Sequence, residues 1–295
     1  MHFLRTTLLF WRTYLPRILR ARRTLIVALG CALIPVAALF LMNIRYGPSP
    51  IEVFMYPAYY MVLMVLVPLA AVITGSVIVS EEVEDRTISY LLTRPIPRAT
   101  ILLGRWLACA TVLSVLFLGT IGGLRAVVEW RAPMWKPTEP QTIEWTDRRG
   151  EKRTHVRQRE TPPELLAAME DGKLPDGLFE AVLVSALLGA AVYSALFAAL
   201  GTSNRHPMIV GLGYAFAIEL FLSNLPGSSQ ALSVQYYLRS TLLSANPELW
   251  GRLQEVQLKT YDTTAQALTT LAIVLVVSLA AGSWVISRRQ YILSA

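Results

Sequence analysis

The chain has 295 residues, 54% hydrophobic and only 16% charged, with 27 Lys and Arg against 20 Asp and Glu for a formal net charge of +7. A soluble domain carries about 25% charged residues, so this composition argues against a water-soluble enzyme and for a chain solvated mostly by lipid. A basic excess suggests nucleic acid in a soluble protein, but here the arginines cluster at the ends of apolar runs, where cytoplasmic Lys and Arg accumulate, and no nucleic-acid partner is expected.

Residues 1–23 read as an amphipathic interfacial helix. Phe3, Leu4, Leu8, Phe10, Trp11, Tyr14, Leu15, Ile18 and Leu19 share one half of a helical wheel, and Arg5, Arg12, Arg17, Arg20 and Arg23 share the other. Such a helix lies in the interface plane, apolar face toward the acyl chains and Arg face toward anionic lipid headgroups. It is either an elbow helix that contacts a cytoplasmic subunit or a passive anchor. The charged stretch is too long, and the apolar run after it too extended, for a cleaved signal peptide.

The fold class expected is an all-α polytopic membrane protein, since a spanning helix needs about 20 apolar residues and six stretches qualify. They are 24–44 with Pro35 inside, 56–79, 106–124, 181–204, 208–225 with the single acid Glu219, and a stretch within 263–287. The first three fall in a block at 24–124 and the last three in a block at 178–295. Asn224 and Pro226 suggest that the fifth is broken or short. Six spans put both termini on one side. Arg86, Arg94, Arg98, Arg105, Arg205, Arg288 and Arg289 then share that side with the N-terminal arginines, which the positive-inside rule assigns to the cytoplasm. The other side receives 125–177, with ten basic and ten acidic residues, and the loop 225–266. The balanced charge of 125–177 makes a large independent core there improbable. Cys31 and Cys109 are the only cysteines, each inside an apolar run, where buried small residues are expected rather than a disulfide or a metal site.

Between the second and third spans lies a short charged segment at 81–98. Glu81, Glu82, Glu84 and Asp85 open a helical pattern and Arg94 closes it, an order that complements the helix dipole. Ile88, Leu91 and Leu92 form an i, i+3, i+4 apolar patch, and Pro95 and Pro97 stop the helix. An apolar patch on such a helix inserts readily into a groove on a partner. A solvated connector is the plainer alternative.

The stretch from Glu81 through Arg86, Thr87, Leu91, Leu92, Arg94-Pro95, Arg98 and Gly104-Arg105 resembles the type-2 ABC transporter permeases. Their pattern is acidic residues, a Thr turn, a Leu-Leu pair, x-Pro-x-x-Arg and Leu-Gly-Lys/Arg. A second stretch is similar to the same family: Glu219, Leu225-Pro226-Gly227, and 232–240 with Ser233, Tyr237, Arg239 and Ser240. The insert 125–177 departs from the family's usual short loop. The resemblance implies two six-span halves, this chain and a second copy or homologue, each bound by a separate ATP-binding subunit. It makes 81–98 a cytoplasmic coupling helix, with Glu81, Glu82, Glu84, Asp85, Arg86, Ile88, Leu91, Leu92, Arg94 and Pro95 docking on that subunit. It also implies an exporter in a cell membrane, by family a bacterial inner membrane.

No GxxxxGK[ST] loop occurs, so ATP should be bound by the partner and this chain should be non-catalytic, with no cofactor of its own. HExxH and GxSxG are absent, and His2, His155 and His206 cannot supply paired haem ligands inside the spans. Glu219 is the one acid deep in an apolar span, where ionisable groups are functional by default. A structural hydrogen bond between helices is the plainer reading. Two alternatives to the ABC permease remain: an ion-gradient-driven secondary transporter, with Glu219 as its coupling residue, or a membrane assembly factor acting through 125–177.

Overall fold

The computed structural model describes residues 2–44, 48–78, 98–135, 141–146, 152–157, 173–175, 177–204, 206–224, 228–250 and 261–288. Helix α1 (His2–Arg20) meets α2 (Arg22–Met42) at Ala21, whose extended backbone (φ −68°, ψ 134°) separates them. Pro16 and Pro35 lie inside helices that continue through them.

Helix α3 (Pro50–Gly75) begins earlier than the apolar run at 56 implies. Ser49 is the reason: its Oγ accepts from the Glu52 amide while its own amide donates to Glu52 Oε2 at 2.9 Å, a capping box with Pro50 in the first turn. The middle of α3, Pro57–Leu66, is wound as a π-helix.

Helix α4 (Arg98–Arg131) has 34 residues, which at 1.5 Å each is about 51 Å. It runs past residue 124, where the charge-free interval ends. Arg125 and Glu129 pair at 2.8 Å across one helical turn, and the Arg125 guanidinium lies 4.8 Å from the Phe179 ring centroid. The start of the 125–177 insert is therefore helix, not loop. Further along the insert, β1 (Gln141–Thr146) and β2 (Lys152–Arg157) pair antiparallel, Gln141 opposite Arg157 and Thr146 opposite Lys152. The all-α expectation holds for the membrane part of the chain, and among the described residues the only strands are this small hairpin in the insert.

The remaining helices are α5 (Leu178–Ser203), α6 (Pro207–Phe221), α7 (Val234–Ala245), α8 (Pro247–Trp250) and α9 (Thr264–Arg288). Among the described residues five helices are long and apolar enough to cross a membrane: α2, α3, α4, α5 and α9. The expected span at 208–225 is shorter. Helix α6 consists of eight α-helical residues and seven π-helical ones ending at Phe221, and its rise of about 20 Å falls short of the ~30 Å hydrocarbon core.

Helix α5 is the central post and packs against α3, α4, α6, α7 and α9. Small residues let the backbones approach, as van der Waals packing between helices in lipid requires. A methyl added at Gly201 would collide with the Ser76 carbonyl oxygen, and one at Gly189 would lie 2.7 Å from Val67 Cγ1. Polar pins supplement the packing: Trp106 Nε1 donates to the Ala191 carbonyl at 3.1 Å, and Cys109 Sγ to Thr74 Oγ1 at 3.3 Å. Cys31 and Cys109 are both free and buried. Helices α2 and α9 lie at the periphery and turn Leu25, Leu29, Leu33, Phe40, Val276 and Trp284 outward, an apolar exterior suited to acyl chains.

Candidate functional site, a buried polar cluster around Glu219

Helix α7 has 12 residues and is too short to span, yet it is almost wholly buried against α5 and α9, with Arg239 reaching the π-helical middle of α3. Its first turn presents four amide groups with no partner inside the helix, and in lipid no water is at hand to satisfy them. Each is accounted for. The Ser233 amide donates to the Gln230 carbonyl at 3.0 Å. The Tyr236 amide donates to the Ser233 side chain at 3.1 Å, an N-cap of the ordinary kind. The Val234 and Gln235 amides donate to the two oxygens of one carboxylate, Glu219 Oε1 at 3.2 Å and Oε2 at 3.0 Å.

Glu219 reaches this position from the π-helical end of α6 and is only 2% exposed. Two phenols complete its coordination. Tyr214 donates to Oε1 at 3.1 Å and Tyr193, from the middle of α5, to Oε2 at 2.6 Å. The Tyr193 hydroxyl also lies 3.2 Å from Gln235 Oε1. The carboxylate thus accepts four hydrogen bonds, the full complement of its strongest lone-pair directions, and it faces the positive end of a helix dipole.

An arginine closes the cluster. Ser223, in the turn after α6, donates from Oγ back to the Glu219 carbonyl. Arg239, on α7, donates from Nη1 to the Ser223 carbonyl at 3.3 Å and from Nη2 to Ser223 Oγ at 3.2 Å. Its guanidinium lies 5.9 Å from the Tyr59 ring centroid, on the π-helical part of α3, and Trp250 packs against the same ring. Ser223 therefore ties Arg239 to the backbone of residue 219, at the end of α6, while the Glu219 carboxylate is held separately by its own four donors. Through these bonds Glu219 joins α5, α6 and α7.

Among the described residues no three His, Cys, Asp or Glu converge as metal ligands. The stretches that stand out in the sequence fare differently. Glu81, Glu82, Glu84, Asp85, Arg86, Ile88, Leu91, Leu92, Arg94 and Pro95 lie outside the described residues, as does Leu225-Pro226-Gly227. Ser233 and Arg239, marked in the sequence only by resemblance, are the N-cap of α7 and the partner of Ser223 respectively. Tyr193 and Tyr214 belong to no sequence motif, and Gln235 lies within the family-like stretch 232–240 but is not among the residues marked there. A phenol in mid-span is the one signal that marks Tyr193, since a buried Tyr hydroxyl needs a partner.

No curated protein matches the chain closely enough to count as a relative. Residues 24–290, from the start of α2 to just beyond α9, match the family described as ABC-2 family transporter protein. That match includes every membrane-length helix and the whole Glu219 cluster, and by it the chain belongs to the ABC-2 family of transporter proteins, the type-2 ABC permeases.

Proposed function

We propose that this chain is the membrane half of an ATP-driven exporter. It crosses the bilayer six times with both termini in the cytoplasm, pairs with a second copy or a homologue, and is driven by a separate ATP-binding subunit that docks on 81–98. The observation that carries this reading is the family match over 24–290. Two features support it. The charged stretch joins the end of α3 to the start of α4, where α1 also packs. Helix α6, though short, is apolar and is followed by the buried helix α7, and the two together are taken as the fifth of the six crossings. The saturated carboxylate of Glu219 speaks against an ion-coupled carrier, which needs a group free to exchange its ion.

The test is affinity purification of the chain from mild detergent with identification of every stoichiometric partner. A partner bearing a phosphate-binding loop is expected. Charge reversal at Glu82, Glu84 and Asp85, or Asp in place of Leu91 and Leu92, should release that partner and leave membrane insertion unchanged. Retention of the partner by both sets of variants refutes docking on 81–98. Absence of any such partner from the wild-type chain refutes the reading as a whole.

A further inference from the structure

Beside the membrane core, a very tight helix crossing lies at Gly104, where α1 runs over the first turns of α4. A methyl added at Gly104 would lie 2.5 Å from Phe10 Cβ and 2.7 Å from the Thr7 carbonyl oxygen. Only glycine allows the two backbones this close. Further along the same crossing, Trp11 Nε1 donates to Thr111 Oγ1 at 3.2 Å. The residue after the glycine, Arg105, is 4% exposed. Its Nη1 donates to the Ile78 carbonyl at 3.0 Å, the last described residue of the helical chain that continues from α3. A guanidinium donating to a buried carbonyl makes a charge-assisted hydrogen bond, the stronger kind. The same guanidinium lies 5.0 Å from the ring centroid of Tyr14, on α1 and 6% exposed, within the range of a desolvated cation–π contact. The end of α3 is held from its other side too, by Gly201 of α5 against the Ser76 carbonyl.

We propose that Gly104 and Arg105 are positioning residues that fasten α1, the end of α3 and the start of α4 into one rigid platform. The chain between Ile78 and Arg98 leaves this platform and returns to it. The mechanical role of the platform rests on the exporter reading above. A displacement applied to that stretch by an ATP-binding subunit moves α1 together with α3 and α4 and is not lost as bending between them. Each part has a distinct share in this rigidity. Gly104 sets the separation of α1 and α4, Trp11 and Thr111 fix their rotation, and Arg105 links all three helices through one buried charge.

The experiment uses the wild-type complex in lipid nanodiscs beside Arg105→Gln, Gly104→Leu, Tyr14→Leu and Tyr14→Phe. Three quantities are read: the amount of ATP-binding subunit retained, the ATP turnover of the complex, and deuterium exchange of the α1 amides. Arg105→Gln, Gly104→Leu and Tyr14→Leu should retain the subunit, raise exchange in α1, and change turnover by about fivefold or more, the lower end of ordinary coupling between sites. Tyr14→Phe, which keeps the ring, should follow the wild type. Unchanged exchange and turnover in Arg105→Gln and Tyr14→Leu overturn the proposal, and these two decide it if Gly104→Leu does not assemble. Loss of the subunit from all three disruptive variants also overturns it, since the residues would then serve folding alone. Should the wild type retain no ATP-binding subunit, the exporter reading fails, while exchange in the isolated chain still decides whether the platform exists.

Discussion

Replacing Glu219 by Gln changes one oxygen to an amide group and almost nothing in shape. The carboxylate now serves two backbone amides, Val234 and Gln235, one on each oxygen. A glutamine can accept from only one of them, and the other is left facing an NH2 group. A buried donor without an acceptor costs about 1–3 kcal/mol, and loss of the charge at the N-terminus of α7 adds roughly 0.5–1 kcal/mol. The expected destabilisation is therefore about 2–4 kcal/mol. Glu219→Leu orphans both amides and should lose more. Tyr193→Phe deletes a side-chain bond between α5 and α6, where the measured average is only ~0.6 kcal/mol, and Tyr214→Phe deletes one within α6, so both should be mild. The order Leu, then Gln, then the two Phe variants is the test, because it separates fixed backbone donors from hydroxyls that can turn elsewhere. Unfolding of the purified chain in mixed micelles with increasing SDS, followed by tryptophan fluorescence, measures it. Trp250, packed on Tyr59 beside Arg239, is well placed to report on the cluster. If Glu219→Gln matches the wild type within about 0.5 kcal/mol, the scatter of inconsequential substitutions, yet transport is lost, the capping argument is wrong and Glu219 is an ionisable coupling group.

Arg239→Lys should fail to restore what Arg239→Gln loses, since a point cation cannot reach both the carbonyl and the hydroxyl of Ser223 while lying over Tyr59; the same SDS titration checks this. Gly201→Ala should sharply reduce the yield of folded protein by fluorescence-detected gel filtration, whereas Gly119→Ala, with nothing within 4 Å of the added methyl, should be neutral. A cysteine at Thr142, in β1, should react with a membrane-impermeant maleimide from outside intact cells, and one at Arg12, in α1, only after permeabilisation; the reverse pattern would invert the proposed orientation.

Hydropathy locates the spans because lipid imposes one requirement on every residue facing it, and a local window captures that. It fails at the ends. Helix α3 starts at Pro50 because of the Ser49–Glu52 capping box, a spacing plainly readable in the sequence but outside the apolar run. Helix α4 continues to Arg131 because charge ends a hydrophobic segment without ending a helix, and Arg125 with Glu129 is a pair that favours helix. The hairpin is legible too, with β-prone Ile143 and Trp145, then Thr154 and Val156, at a spacing of two, but the balanced charge of the insert masks the strand period. The polar cluster lies beyond any local window. Glu219 stands out as a lone acid, yet its partners Val234, Gln235 and Tyr193 sit 15 to 26 residues away in other elements. The π-helical turn that aims it has no sequence signature. Gly104 and Arg105 are readable as part of a family pattern, but which helix the glycine admits depends on the path α1 takes back over α4.

Helix α4 is pinned in depth at two heights. Near one end Arg105 is tied to Ile78 and Tyr14, and near the other Arg125 is tied to Glu129 and Phe179. The uncharged interval between them rises about 28 Å, close to the ~30 Å of an average hydrocarbon layer. Arg105, buried against its partners, cannot slide along its stem to follow a shifting interface, and Arg125 is restrained by its Glu129 pair and the Phe179 ring. A thinner or thicker membrane must then be met by tilting α4 and whatever is fastened to it, so the acyl chain length of the host membrane becomes a mechanical input to the transporter.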